Sequence, residues 1–175
     1  TLTEGTTTLG IITLIDMTGN ATVSNLPVGT HTIKASYGGD TNFGMSSTSD
    51  LTLTVTRGAS ATTLSAAPTA PVFGQAVTLT ATVSGQVAPT GTVAFYDGSS
   101  SLGSATISGG KATLITAALA AGGHSLSASY LGDGVNLGST SATTSLTVGR
   151  DTTTTTVASS KTSTVYGETP TLTAK

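Results

Sequence analysis

Leu119-Ala120-Ala121-Gly122-Gly123-His124-Ser125-Leu126-Ser127-Ala128-Ser129-Tyr130 decides the reading of this chain, because 93 residues earlier it stands as Leu26-Pro27-Val28-Gly29-Thr30-His31-Thr32-Ile33-Lys34-Ala35-Ser36-Tyr37. In the later copy His124, Leu126, Ala128 and Tyr130 alternate with serines. That period of two marks a strand with one face buried. His31, Ile33, Ala35 and Tyr37 repeat it. The offset of 93 also pairs Leu2-Thr3-Glu4-Gly5 with Phe95-Tyr96-Asp97-Gly98, Leu53 to Arg57 with Leu146 to Arg150, and Thr78 to Ala81 with Thr171 to Ala174. A period this long is a whole small domain, not one turn of a solenoid. The offset sets the expected organisation. Residues 58–149 are a complete repeat, 1–57 the C-terminal part of an earlier one and 150–175 the N-terminal part of a further one.

The complete copy reads as about seven short strands. One opens at Thr62-Thr63-Leu64-Ser65 and ends before Pro68 and Pro71. Val77, Leu79, Ala81 and Val83 alternate with threonines. Val93 and Phe95 point one way, before an Asp97-Gly98 turn. Leu102 to Ile107, Lys111 to Thr116, His124 to Tyr130, and Leu146 with Val148 follow. No helical period occurs. The expected fold is all-β, an Ig-like antiparallel sandwich repeated in tandem. Phe95, Tyr130, Tyr37 and Leu119 are expected structural residues.

Composition narrows the function. Charged residues make up 8% and aromatics 4% of the 175 residues, with no Cys and no Trp. Regular β-branched alternation argues against disorder. The densest apolar run, Ile11-Ile12-Thr13-Leu14-Ile15, falls far short of the roughly 18 residues of a membrane span. Absence of Cys excludes a disulfide framework and thiolate metal sites. A formal charge of −2 gives no electrostatic case for nucleic acid. Hydroxyl-rich, Cys-free β-domains suit export.

Gly91-Thr92-Val93-Ala94-Phe95-Tyr96-Asp97-Gly98, Leu102-Gly103, Leu119 to Leu126 and Tyr130-Leu131-Gly132-Asp133 together resemble the bacterial Ig-like (Big) repeat domains. The resemblance extends over the full copy and both partial ones. It implies tandem arrays in large exported or surface-anchored bacterial proteins, or accessory modules beside secreted enzymes. The family shares no catalytic residues, so no catalytic role carries over.

His31 and His124 stand where sandwich domains often carry a corner Tyr that bonds back to the backbone. With no repeated acidic neighbour noted, each is read as a structural group. Asp40, Asn42, Asp133 and Asn136 are candidate calcium ligands in the loops after Tyr37 and Tyr130. One residue is read as inserted between the two loops, so ordinary turn chemistry is the expectation. No Gly-x-Ser-x-Gly elbow accompanies the Ser, His and Asp residues, so no enzyme and no cofactor is expected. Asn20-Ala21-Thr22 fits a glycosylation acceptor but is absent from the other copy. The Thr152 to Thr156 run is read as a first strand. Lys34 alternates outward and is discounted as a crosslinking residue.

Only about four residues join consecutive copies, around Arg57 and Arg150, so bending between them should be limited. The expected function is a non-catalytic stalk or adhesin-like array in a secreted or cell-surface protein. Its expected partners are neighbouring repeats and a weak, multivalent glycan or matrix-protein ligand. The alternative is a glycan- or matrix-binding accessory module of a secreted enzyme, which the scarcity of outward aromatics (Tyr96 in one copy, Thr3 in the other) disfavours. Unpaired edges in the partial copies predict head-to-tail chaining of the molecule.

Overall fold

Runs of Thr, Ser, Val and Leu with period two leave the backbone one way to bury its apolar face, and the chain takes it throughout. A computed structural model describes residues 1–175, and its regular elements are all β-strands. The first set comprises β1 (Leu2–Glu4), β2 (Thr7–Gly10), β3 (Gly29–Tyr37), β4 (Ser46–Ser47) and β5 (Leu51–Val55). They form one antiparallel sheet in the order β2-β1-β3-β4, with β5 also on β3.

The second set comprises β6 (Ser60–Ala67), β7 (Val77–Gly85), β8 (Thr92–Asp97), β9 (Ser100–Thr106), β10 (Lys111–Thr116), β11 (Gly122–Gly132), β12 (Leu137–Thr140) and β13 (Thr144–Val148). One sheet runs β10-β7-β6; the other runs β9-β8-β11-β12, with β13 following β12 along the same edge of β11. The two sheets enclose a core in which Leu79, Ala81, Val93, Phe95, Leu126 and Ala128 are completely buried. One open side is closed by hydroxyls: Ser60 Oγ donates to Leu137 O at 2.6 Å, and Thr62 Oγ1 meets Ser139 Oγ at 2.7 Å. A final hairpin joins β14 (Val157–Ser159) to β15 (Leu172–Ala174).

The offset governs pairing as well as sequence. Leu2 opposite Ala35 and Glu4 opposite Ile33 become, 93 residues on, Phe95 opposite Ala128 and Asp97 opposite Leu126. Val157 opposite Ala174 mirrors Leu64 opposite Ala81.

The expected sandwich of about seven strands is met by eight strand segments, β6 to β13. The extra one, β12, carries Leu-Gly-Ser-Thr, which has no apolar alternation; its backbone pairing with β11 creates it. The Thr152 to Thr156 run is not a strand: β14 begins at Val157, and within the run only Thr156 is bonded across, exchanging backbone hydrogen bonds with Lys175 at 2.9 and 3.0 Å. At the matching residues, Ser60 to Thr63 are held by the end of β7 and by β12.

Candidate functional site

Three features recur at the offset or lie between the strand sets: a histidine corner, an aspartate-capped loop and the joint that the loop supports.

At the corner, His124 Nδ1 lies 2.6 Å from Asp97 Oδ2 and Nε2 lies 2.8 Å from the Ala120 carbonyl oxygen. Both oxygens are acceptors, so both ring nitrogens must donate, and the ring is best satisfied as imidazolium. Asp97 Oδ1 also accepts from the Ser125 N–H at 3.0 Å. The Asp97 carboxylate first, and the Ala120 carbonyl second, raise His124 above its ordinary value; His124 in turn lowers Asp97. The earlier copy reproduces the arrangement, with His31 Nδ1 2.9 Å from Glu4 Oε1 and Nε2 2.8 Å from Pro27 O. The Pro27 carbonyl leads in raising His31. The expectation of histidines without a repeated acidic neighbour is therefore corrected. Glu4 and Asp97 stand 93 residues apart, and a search for matched acids would have found them. Strand pairing then sets β1 beside β3, and β8 beside β11.

The loop after Tyr130 turns on Gly132, whose φ of +88° favours glycine and whose added Cβ would fall 2.7 Å from Asn136 O. Asp133 Oδ1 then accepts from the N–H groups of Val135 (2.9 Å) and Asn136 (2.7 Å). Its Oδ2 accepts from the N–H (2.9 Å) and hydroxyl (3.0 Å) of Thr90, in the loop before β8. Asn136 Nδ2 donates to both oxygens. The Val135 and Thr90 amides lead in holding the Asp133 carboxyl far below the usual carboxylate range. Its oxygens face hydrogen-bond donors, which suits a capping anion.

In the earlier copy Asp40 Oδ1 accepts from the N–H groups of Asn42 and Phe43, and Asp40 Oδ2 accepts from the Tyr37 hydroxyl. Asn42 therefore matches Val135, and Phe43 matches Asn136. The expected one-residue insertion is wrong: the loops align without a gap, and only the Asn is displaced. Asn136 is fully buried whereas Asn42 is exposed. Phe95 and Tyr130 lie in the core with Leu119 at its margin, and no group of three or more His, Cys, Asp or Glu converges.

The capped loop faces the preceding strand set. Gly58 N–H donates to Val135 O at 2.8 Å, Leu137 N–H donates to Gly58 O at 2.8 Å, and Arg57 Nη1 reaches Asp133 O at 3.4 Å. Pro27, Val28 and Val55 line one side of a groove of about 370 Å³, with Gln86, Val87 and Val135 on the other. At the far end of the sandwich, Gly149 N–H donates to Pro71 O and Phe73 N–H donates to Gly149 O, each at 2.8 Å. The sequence reading found the short joint and missed these clamps, because backbone bonds leave no residue signature.

The sequence matches the family of bacterial Ig-like domains (group 3) over residues 1–56 and 64–149, and the chain belongs to that family. The solved fibronectin(III)-like modules of Clostridium thermocellum CbhA align with 85% of this chain and 76% of their own, at 17% identity and a TM-score of 0.44. No curated protein matches the sequence.

Proposed function

We propose that this member of the bacterial Ig-like family is a non-catalytic structural repeat that serves as a stiff spacer in a secreted or surface-held stalk. In this reading residues 58–149 are one complete repeat, flanked by parts of two others. The clamped joint carries the proposal. Gly58 is tied to the loop that follows it, and Gly149 to the strand set that precedes it. Each joint shows one of the two clamps, Gly58 at the first and Gly149 at the second; carried over by the offset, the pair would leave one residue between them, Arg57 or Arg150. A joint with one free residue bends far less than a Gly/Ser tether. Eleven-residue β11 spans about 36 Å at about 3.3 Å per residue, so each repeat advances the stalk by at least that much.

Two further observations support the reading. The hydroxyl-rich, Cys-free composition suits an exported array, and modules of this family are often extracellular. The His–acid corner recurs in both copies as part of the framework. Small-angle X-ray scattering of arrays of two, four and six copies of residues 58–149 tests the spacer. The maximum dimension should grow linearly with copy number. Growth as the square root would describe freely jointed beads and defeat the proposal.

A further inference from the structure

The turn that enters β3, beside the joint, hangs on one histidine. The bond between His31 Nε2 and the Pro27 carbonyl is the only hydrogen bond that reaches residues 25–28. In the complete copy the bond between His124 and Ala120 is again the one that reaches residues 119–121. The turn is not relaxed by itself. Asn25 holds φ at +63°, in the left-handed region that a side chain adopts at a cost unless its surroundings hold it. Pro27 and Val28 are also one wall of the groove at the joint. Val87 and Val135 stand across it on the sandwich, and Val28, Val87 and Val135 are all exposed.

What holds that wall depends on a proton. The His31 ring meets two acceptors, Glu4 Oε1 at 2.9 Å and Pro27 O at 2.8 Å. An ionised carboxylate and a carbonyl have no proton to give, so both contacts are hydrogen bonds only while the ring is imidazolium. The Pro27 carbonyl first, against burial, and then Glu4 hold the ring above its ordinary value, so the charged form persists to above about pH 6.5. No other charge faces the ring. β2, β4 and β5 carry no titratable side chain. Lys34 alternates to the far face of β3, in a cleft with Asp50 and the outer side of Glu4, and Tyr37 is engaged with Asp40. No charged residue lines the groove.

Once deprotonated, the ring keeps a single N–H. The charge-assisted bond to Glu4 is the stronger of the two, so that hydrogen stays on Nδ1. Nε2 then turns a lone pair on the Pro27 oxygen, and the contact becomes repulsive. We propose that the joint between repeats is pH-switched: imidazolium His31 fixes the Pro27–Val28 wall and keeps the strand sets on either side of Arg57 in one orientation, whereas deprotonation frees the wall and lets the sets swing about the Gly58 bonds. This inference rests on the spacer reading, whose stiffness it regulates.

Spin labels at Thr32→Cys and Thr82→Cys, exposed positions of β3 and β7 in a chain with no Cys of its own, report the distance between the sets by double electron–electron resonance. The distance distribution should be narrow at pH 5.5 and at least about twofold wider at pH 9, with the transition above about pH 6.5. In Glu4→Gln a neutral ring can accept from the Gln amide at Nδ1 and still donate from Nε2 to Pro27 O. That variant should therefore stay narrow at pH 9, and His31→Gln should show no difference between the two pH values. A distribution narrow at both values in the unaltered chain would overturn the switch and leave the spacer standing. One broad at both would overturn the spacer and the switch with it. Widening at pH 9 in either variant, as large as in the unaltered chain, would place the loosening elsewhere and overturn the assignment to His31.

Discussion

His124 and Asp97 place an ionic hydrogen bond at a corner where sandwich domains often carry a Tyr hydroxyl, and that choice makes stability depend on pH. The folded value of His124 is raised. Its contribution is therefore complete below about 6.5, the ordinary value, and is lost as pH climbs through the folded value. The folded value of Asp97 is lowered, so its contribution is present above about 3.9 and is lost as pH falls through the folded value. Both are present between about pH 4 and 6.5. The melting temperature should be highest in that window and should decline toward pH 9. His124→Gln can donate to only one of the two oxygens. It should cost about 1.5–3 kcal/mol at pH 5.5 and much less at pH 9. Thermal melts of both proteins across that range check this, and parallel curves would show that the ring is neutral in the folded state. Asp133 makes a second prediction at this scale. Its oxygens are occupied by N–H and O–H donors, so millimolar calcium should leave the melting temperature unchanged. Asp133→Ala should lower it by stranding the Thr90, Val135 and Asn136 amides; a calcium-dependent rise would restore Asp133 and Asn136 as ligands.

At the scale of the element, matched strands differ in what covers them. β13 and β5 are equivalent in sequence and register, yet Leu146 is buried in a closed core and Leu53 faces solvent. Leu146→Ala should cost about 2–5 kcal/mol, whereas Leu53→Ala in dilute solution should cost less than about 1 kcal/mol. Denaturant melts monitored separately for each strand set measure the difference, and equal costs would mean that the first sheet has a closed core of its own. The same contrast explains what could be read in advance. Alternation in Val77 to Val83 and in His124 to Tyr130 was visible, because burial on one face imposes a period on the residues. β12 was invisible, because its pairing is made by backbone groups and its side chains alternate in nothing apolar. The Thr152 to Thr156 run has the propensity of a strand, but only Thr156 is bonded across, to Lys175, and propensity without pairing along the run does not make a strand. The acids of the corner were legible in principle, since Glu4 and Asp97 obey the offset. They were missed because strand pairing, not sequence proximity, brings each to its histidine, 27 residues away.

At the scale of the whole molecule, the proposed spacer rests on a few backbone bonds at the joint. Gly58 donates its N–H to Val135 O and accepts from the Leu137 N–H. Its neighbours leave space, the nearest being Val135 O at 3.8 Å from an added Cβ, so Gly58→Ala should leave the joint intact. Gly58→Pro deletes the donor while sparing the core of the 60–148 sandwich. The melting temperature of that sandwich should move little, while the spread of orientations between the strands on either side of Arg57 should widen. Residual dipolar couplings measured separately for residues 2–55 and 60–148 report both quantities. In the unaltered chain one alignment tensor should fit both sets. In Gly58→Pro two tensors of unequal magnitude should be needed, the smaller marking the averaged partner. If the unaltered chain already requires two, the bonds at Gly58 do not hold the joint, and length in such an array would have to come from repulsion between neighbouring domains rather than from the clamp.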